Sequence, residues 1–346
     1  MIRSVPAETV RPLLDWYAVH ARTLPWRSIP TPYRVWVSEI MLQQTRVEAV
    51  LDYFQRFMAA LPTVQALADT DEQTLLKLWE GLGYYSRARN LQKAARIIVE
   101  QYGGELPKTA KELQQLPGIG AYTAGAVASI AFGQRVPAVD GNVLRVLSRV
   151  TACPDDVTAA GVKEKTAAAL QRILPPQAGE FNQALMDLGA TVCLPNGVPK
   201  CAECPLNGLC AAHREEKETA YPVKAAKKNR RVEQRTVLLA LRDGKVALRR
   251  RPEDGLLAGL WEFPSLDGER DADRLLTVLT DLGLQPAELR PAVSARHIFT
   301  HIEWQMQGWV VQCRGSGPAD WVWVTPQELT LRYPVPSAFR AFTKLL

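Results

Sequence analysis

The chain has 346 residues, 47% of them apolar, which is material for about two domains with separate cores. Basic side chains number 42 and acidic ones 36, and most of the resulting +6 falls in residues 214–235, which hold eight of the former and four of the latter. No apolar run is long enough to span a bilayer, MIRSVPAETVRPLLDWY lacks the regions of a signal peptide, and six cysteines are too few for a disulfide scaffold; membrane and secreted classes are excluded and a cytoplasmic protein is expected.

The first two-thirds reads as helical. From Val47, apolar residues recur as Val50, Leu51, Phe54, Phe57 and Met58, the spacing of one buried helical face. Leu91 to Gln101 repeats the pattern and stops at Gly103-Gly104. Thr109 and Glu112 form a capping-box pair ahead of Leu113 and Leu116. A Pro-Gly-Ile-Gly break then leads into an Ala-rich helix from Ala121 to Phe132. Gly118 and Gly120 in that break predict a turn with exposed amides before a helix N-terminus, an anion site that grips a phosphate without reading sequence.

Four cysteines follow as Cys193-x7-Cys201-x2-Cys204-x5-Cys210, while Cys153 and Cys313 stand apart. Four thiolates in one short loop suit either a tetrahedral zinc or a cubane iron–sulfur cluster. Zinc sites usually show two Cys-x2-Cys knuckles, and the single one here favours a [4Fe–4S] cluster. Prolines at 195, 199 and 205 leave the stretch without core-forming periodicity, so it needs another source of order.

Residues 214–235 have little to bury and read as an exposed linker. Beyond them, TVLLALRDGKVALRRR alternates at period two around Asp243-Gly244, a β-hairpin with a tight primed turn. A helix near Ala272–Leu282 and strand-like segments HIFTHIEWQMQGWVVQC and DWVWVT complete a mixed domain of about 110 residues.

Several strings together carry a family resemblance: SEIMLQQTRVEAV (38–50), GLGYYSRARNL (81–91), LPGIGAYTAGAVASIAFGQRVPAVDGNV (116–143), FNQALMDLGATVC (181–193), the cysteine loop and HIFTH (297–301). Over nearly its whole length the chain resembles the MutY-type adenine DNA glycosylases of the helix-hairpin-helix superfamily. The resemblance implies an α+β multidomain fold: an all-α catalytic domain over 1–213 with a [4Fe–4S] loop at 193–210 held by Cys193, Cys201, Cys204 and Cys210, a basic linker at 214–235, and a Nudix-like 8-oxoguanine-recognition domain over 236–346. It implies a monofunctional enzyme of base excision repair that removes adenine mispaired with 8-oxoguanine or guanine in double-stranded DNA and leaves an abasic site. A monomer is expected, associated with the nucleoid in a bacterium. One departure is visible, since the family usually has six residues between the first two cysteines and this chain has seven, Leu194 to Lys200; the loop is expected to bulge there.

Cleaving an N-glycosidic bond requires a protonated leaving purine and a stabilised cationic sugar, work that two carboxyl groups of different pKa divide between them. Glu39 sits among Val37, Ile40 and Met41, an apolar setting that predicts a raised pKa. By resemblance it protonates adenine N7 and later serves as base for water. Asp140 precedes a helix beginning near Asn142, where a helix N-cap is the alternative role; by resemblance it stabilises or captures the oxocarbenium ion, and Asn142 is grouped with it. Tyr122 stands where related bifunctional enzymes, similar to endonuclease III, carry the lysine that forms a Schiff base, and a phenol cannot do this.

By resemblance Arg22, Leu24, Trp26, Arg27, Val47 and Gln183 line the pocket of the extruded adenine. Gln44, Thr45, Leu82 and Tyr84 match residues that fill the vacated gap and contact 8-oxoguanine, with Tyr84 as an aromatic wedge. Phe299, Thr300 and His301 match the loop that touches the lesion. The Nudix-like domain lacks the Gly-x5-Glu-x7-Arg-Glu-x2-Glu-Glu magnesium box, so diphosphatase chemistry is not expected. Two other classes remain to be weighed: a non-catalytic mismatch binder, which the pair Glu39 and Asp140 opposes, and a bifunctional pyrimidine-damage lyase, which Tyr122 opposes.

Overall fold

The computed structural model describes residues 2–225 and 229–346, so the centre of the expected linker, 226–228, lies outside the described residues. The chain forms two compact units, Met1–Asp69 with Arg89–Ala226, and Thr70–Ala88 with Lys227–Leu346. The second unit therefore contains a piece of chain that the sequence assigns to the helical domain.

The longer helices before residue 192 are α1 (Val10–His20), α2 (Pro32–Leu42), α3 (Val47–Ala60), α4 (Glu72–Leu78), α5 (Ser86–Tyr102), α6 (Ala121–Phe132), α7 (Gly141–Val150), α8 (Val162–Ile173) and α9 (Ala178–Thr191). The apolar stripe expected from Val47 is α3, with Val50, Phe54 and Phe57 buried. α5 starts five residues ahead of the expected Leu91, because its polar first turn carries no apolar periodicity. It ends at Gly103 and Gly104, both left-handed, where the Gly104 amide donates to the Ile98 carbonyl at 3.0 Å. The capping box at Thr109 and Glu112 forms in both directions.

In the first unit, α1, α7, α8 and α9 share one core through Leu13, Val143, Leu147, Leu170, Phe181 and Leu188. α2 packs against α6, whose Ala124, Gly125, Ala126 and Ala128 are buried. Small side chains let the two backbones approach closely, and that approach brings α2 and α6 together at the site.

The second unit is built on a mixed sheet: β1 (Arg231–Arg242), β2 (Lys245–Arg250), β3 (Trp261–Glu262), β4 (Ser265–Asp267), β5 (Gln285–Ile298), β6 (Ile302–Arg314) and β7 (Trp321–Val324). The order is β3-β2-β1-β6-β5, with β4 on β1 and β7 on β2; β1 and β6 run parallel. The expected turn is present, with Asp243 at φ 50 and Gly244 at φ 71 and Arg242 paired with Lys245. Both sheet faces are covered. Val237 and Leu239 enter one core with Trp304 and Phe339, and Leu238 and Ala240 enter another with Leu275 and Leu279 of α10 (Ala272–Asp281).

The segment 297–313, expected as one strand-like run, is broken: β5 and β6 form an antiparallel hairpin with 299–301 at its tip. No glycine or proline stands at 299–301, so the turn carries none of the usual sequence markers. α4 belongs here through bonds to α11 (Pro326–Arg332) and the residues after it. Lys77 Nζ donates to the Leu329 and Tyr333 carbonyls at 3.3 and 3.1 Å, Gln73 to the Arg332 carbonyl at 2.9 Å, and the Val335 amide to Glu80 at 2.8 Å. Lys77 and Gln73 thus serve as C-terminal caps for α11.

The linker expected over 214–235 is shorter than its charge suggests. The Val157 amide donates to the Val223 carbonyl and Arg149 Nε to the Tyr221 carbonyl at 3.0 Å, which ties 214–223 to the first unit, and residues 231–235 are already strand. High charge conceals such backbone pairing. Among the described residues no helix is long and apolar enough to cross a membrane.

Candidate active site

Glu39 lies on α2, a helix started by the Thr31 cap and by Pro32 in its first turn. It is 6% exposed. The Tyr122 hydroxyl on α6 donates to Glu39 Oε2 at 2.5 Å. Burial pushes the Glu39 carboxyl up to about 7, and the charge of Asp140 adds to this against the Tyr122 bond and Arg27. Burial and the two carboxylates likewise push the Tyr122 phenol well above its usual value.

Asp140 is the N-cap of α7: Oδ1 accepts from the Val143 amide and Oδ2 from Asn142 Nδ2, each at 2.7 Å. Burial raises its pKa, opposed by these two bonds and by Arg145. The N-cap role weighed for Asp140 is present, and its bonds fix the orientation of the side chain. Buried Asn182 holds the chain just upstream, accepting from the Ala138 amide and donating to Ser129 Oγ and the Val136 carbonyl. Downstream, Arg145 bonds Asn142 Oδ1 and the carbonyls of Gly189 and Cys193. A Cβ on Gly189 would stand 2.6 Å from Asn142 Cβ, so only glycine fits there without displacing Asn142.

Arg22 and Arg27, expected to face the base, are both committed to Asp187, which the sequence reading missed. Arg22 donates Nε and Nη2 to Asp187 Oδ1 at 2.9 and 2.6 Å. Arg27 donates Nη1 to Oδ2 at 2.7 Å and Nη2 to Oδ1 at 2.9 Å, and its guanidinium lies over the Tyr17 ring. Asp187 is fully buried; burial alone would raise its pKa, but the two arginines hold it below the usual carboxylate range. Its one visible signal was an acid inside the apolar string ALMDLGATV.

Of the other expected pocket residues, Leu24 and Trp26 are buried, with Trp26 edge-on to Phe54. Val47 opens α3 half-buried, and half-buried Gln183 is bonded to the Gly179 carbonyl. Gly118 and Gly120 are exposed ahead of α6. Gly118 has φ +78 and its Cβ position is blocked by Asn90 at 2.8 Å; Gly120 meets no such restriction. Gln44 is exposed at φ 59, and half-buried Thr45 Oγ1 donates to the Gln43 carbonyl.

Leu82 and Tyr84 belong to the second unit. Leu82 is buried, whereas Tyr84 is 47% exposed. The Tyr84 hydroxyl lies 3.2 Å from Thr300 Oγ1, so Tyr84 and the β5–β6 tip meet. Thr300 and His301 are exposed. Phe299 is not: its ring packs edge-on against His297 and Trp304 and anchors the tip in the core.

Cys193, Cys201, Cys204 and Cys210 line one cavity. Burial, then Glu218 and the neighbouring sulfurs, push Cys201 up to about 11, and burial with the neighbouring sulfurs pushes Cys204 up to about 12; a bound cation would instead favour the thiolates. Arg149 Nη1 is 3.2 Å from Cys193 Sγ, a donor suited to a thiolate. Glu218 bonds His213 Nδ1 at 2.6 Å, and Cys201, His213 and Glu218 have ligand atoms within 4.8 Å of one another. Within the 194–200 gap the Lys200 amide returns to the Val192 carbonyl and 195–198 are exposed. A soft-donor metal fits this set.

Residues 37–176 match the HhH-GPD superfamily of base excision DNA repair proteins and residues 236–345 a NUDIX domain. The chain is 38% identical to the adenine DNA glycosylase of Rattus norvegicus, over 92% of this chain and 74% of that one. This chain belongs to the adenine DNA glycosylase family. The Homo sapiens adenine DNA glycosylase is likewise 38% identical, over 91% of this chain and 70% of its own. Among solved structures, a thermostable thymine-DNA glycosylase is 28% identical with a TM-score of 0.54, covering 60% of this chain and 95% of that one. A trapped endonuclease III–DNA covalent intermediate is 26% identical with a TM-score of 0.52, covering 61% and 99%. The chain is thus a DNA N-glycosylase of base excision repair, with a helix-hairpin-helix fold and a Nudix-like domain, and its substrate is adenine in DNA.

Proposed function

We propose that the enzyme, as a monomer, hydrolyses the glycosidic bond of adenine paired with 8-oxoguanine or guanine in duplex DNA and leaves the strand intact. The contact that carries this reading is the 2.5 Å bond from Tyr122 to Glu39, beside Asp140. A donated bond at Oε2 directs the acidic proton of Glu39 to the other oxygen, free for purine N7. Protonation makes adenine a neutral leaving group, the C1′–N9 bond breaks, and the electron pair stays on the base. Ionised Asp140 stabilises the cationic sugar electrostatically. Glu39, now a carboxylate, takes a proton from water as the water oxygen bonds C1′.

Tyr122 supplies no amine, so no Schiff base forms and the abasic strand is not cut. Duplexes holding adenine opposite 8-oxoguanine break at that adenine only after alkali treatment, and borohydride traps no efficient covalent adduct. Alkali-independent breakage or efficient trapping overturns the monofunctional reading.

Because Glu39 must be protonated to act, excision is fastest below pH 7 and falls about tenfold per pH unit above it. A single-turnover pH profile checks this, and a rate unchanged between pH 6 and 9 removes Glu39 as the acid.

Tyr84, Thr300 and His301 are assigned to the strand opposite the adenine, on the strength of their exposure and the Tyr84–Thr300 contact. Gly118 and Gly120 are assigned to a phosphate, Gln44 and Thr45 to the vacated gap. Cys193, Cys201, Cys204 and Cys210 would hold a [4Fe–4S] cluster, supported by their shared cavity and the Arg149 donor. When bound, the cluster cross-links a loop that has no core of its own.

A further inference from the structure

The turn that carries Tyr84 is conformationally costly. Gly81, Gly83 and Tyr84 all have positive φ, at 100, 73 and 49, and Tyr84 is not a residue that takes that region readily. Such a turn persists only where its surroundings over-determine it, and one side chain supplies several of the contacts that do so. Arg87 is 9% exposed. Its Nη2 donates to the Leu82 carbonyl and to the Gly83 carbonyl, both at 3.1 Å. Its guanidinium lies 5.3 Å from the Trp79 ring centroid and 5.7 Å from that of Tyr84, while its amide donates to the Tyr84 carbonyl at 2.9 Å. Trp79 Nε1 adds a second bond to the Gly83 carbonyl at 3.2 Å.

We propose that Arg87 is a positioning residue for Tyr84: it bonds the Leu82 and Gly83 carbonyls, contacts the Trp79 and Tyr84 rings, and fixes the turn in the conformation that presents Tyr84 to the base opposite the adenine. This rests on the assignment of Tyr84 to that strand. A guanidinium is suited to the task because one terminal nitrogen, Nη2, serves both carbonyls while the flat group lies against two aromatic rings, a stacking that a lysine ammonium does not offer. Burial lowers its pKa to about 10, which leaves it charged at neutral pH. A fixed ring binds without the entropic cost of ordering the turn on the duplex.

The test is single-turnover excision of adenine opposite 8-oxoguanine and opposite guanine by the intact enzyme and by Arg87→Met, Arg87→Lys, Tyr84→Leu and the double variant Arg87→Met/Tyr84→Leu. Arg87→Met is expected to lower the 8-oxoguanine-to-guanine rate ratio about tenfold, Arg87→Lys by less, and the double variant by no more than Tyr84→Leu alone, the non-additivity of residues acting through one contact. A purely structural role lowers both rates equally and leaves the ratio unchanged, which overturns the proposal. So does a double variant whose loss is the product of the two single losses. If Arg87→Met does not fold, Arg87→Lys carries both comparisons. An unchanged ratio in Tyr84→Leu instead overturns the assignment of Tyr84; a lowered ratio there with none in the Arg87 variants overturns only the role of Arg87.

Discussion

Glu39→Gln is expected to slow adenine excision by at least about 10³-fold, within the range set by loss of a positioned general acid, while duplex binding changes little. The substitution keeps the shape of the side chain and an oxygen able to accept the Tyr122 hydroxyl, but removes the proton that the purine must receive. It also relieves the molecule of an acid whose burial disfavours ionisation, so thermal stability above pH 7 should be retained or slightly raised. Single-turnover kinetics and gel-shift binding on the same duplex separate the two effects. A residual rate within tenfold of the parent would reassign the acid; lost binding together with lost activity would point to a collapsed pocket.

Asp187→Asn is expected to be costly in a different way. It leaves Arg22 and Arg27 facing each other across a neutral amide, and removing one partner of a buried ion pair costs about 3 kcal/mol or more. The same change exposes Glu39 to an uncompensated Arg27, whose charge already pulls the Glu39 pKa down. A further fall of about one unit would cut the protonated fraction at pH 7 about fivefold and displace the excision profile toward acid. Asp187 itself is held below the usual range, so its contribution to stability is complete above about pH 4 and is lost as pH falls through its folded-state pKa. Denaturant melts and a pH–rate profile check the two halves. A profile that does not move acidward breaks the link between Asp187 and Glu39.

The parts legible in the sequence were those written in local pattern. The face of α3, the Thr109 capping box, the Asp243-Gly244 turn and the apolar neighbours of Glu39 each announce themselves within a few residues. The Asp187 clamp did not, because its partners lie 165 and 160 residues away and an isolated acid in an apolar string does not say what pairs with it. The break between β5 and β6 was hidden because its tip, Phe299 to His301, holds no glycine or proline. The basic stretch after residue 213 read as linker because charge is visible in a sequence and backbone hydrogen bonds are not.

The membership of residues 70–88 in the second unit bears on how this enzyme is divided or recombined. Lys77, Gln73 and Glu80 bond backbone groups between Leu329 and Val335, so a cut at residue 225 strands α4 without its partners. A chimera that takes only 236–346 from a relative pairs a foreign α11 with the resident α4. The exchangeable module is discontinuous in sequence, and grafting it from one relative to another calls for moving both stretches together.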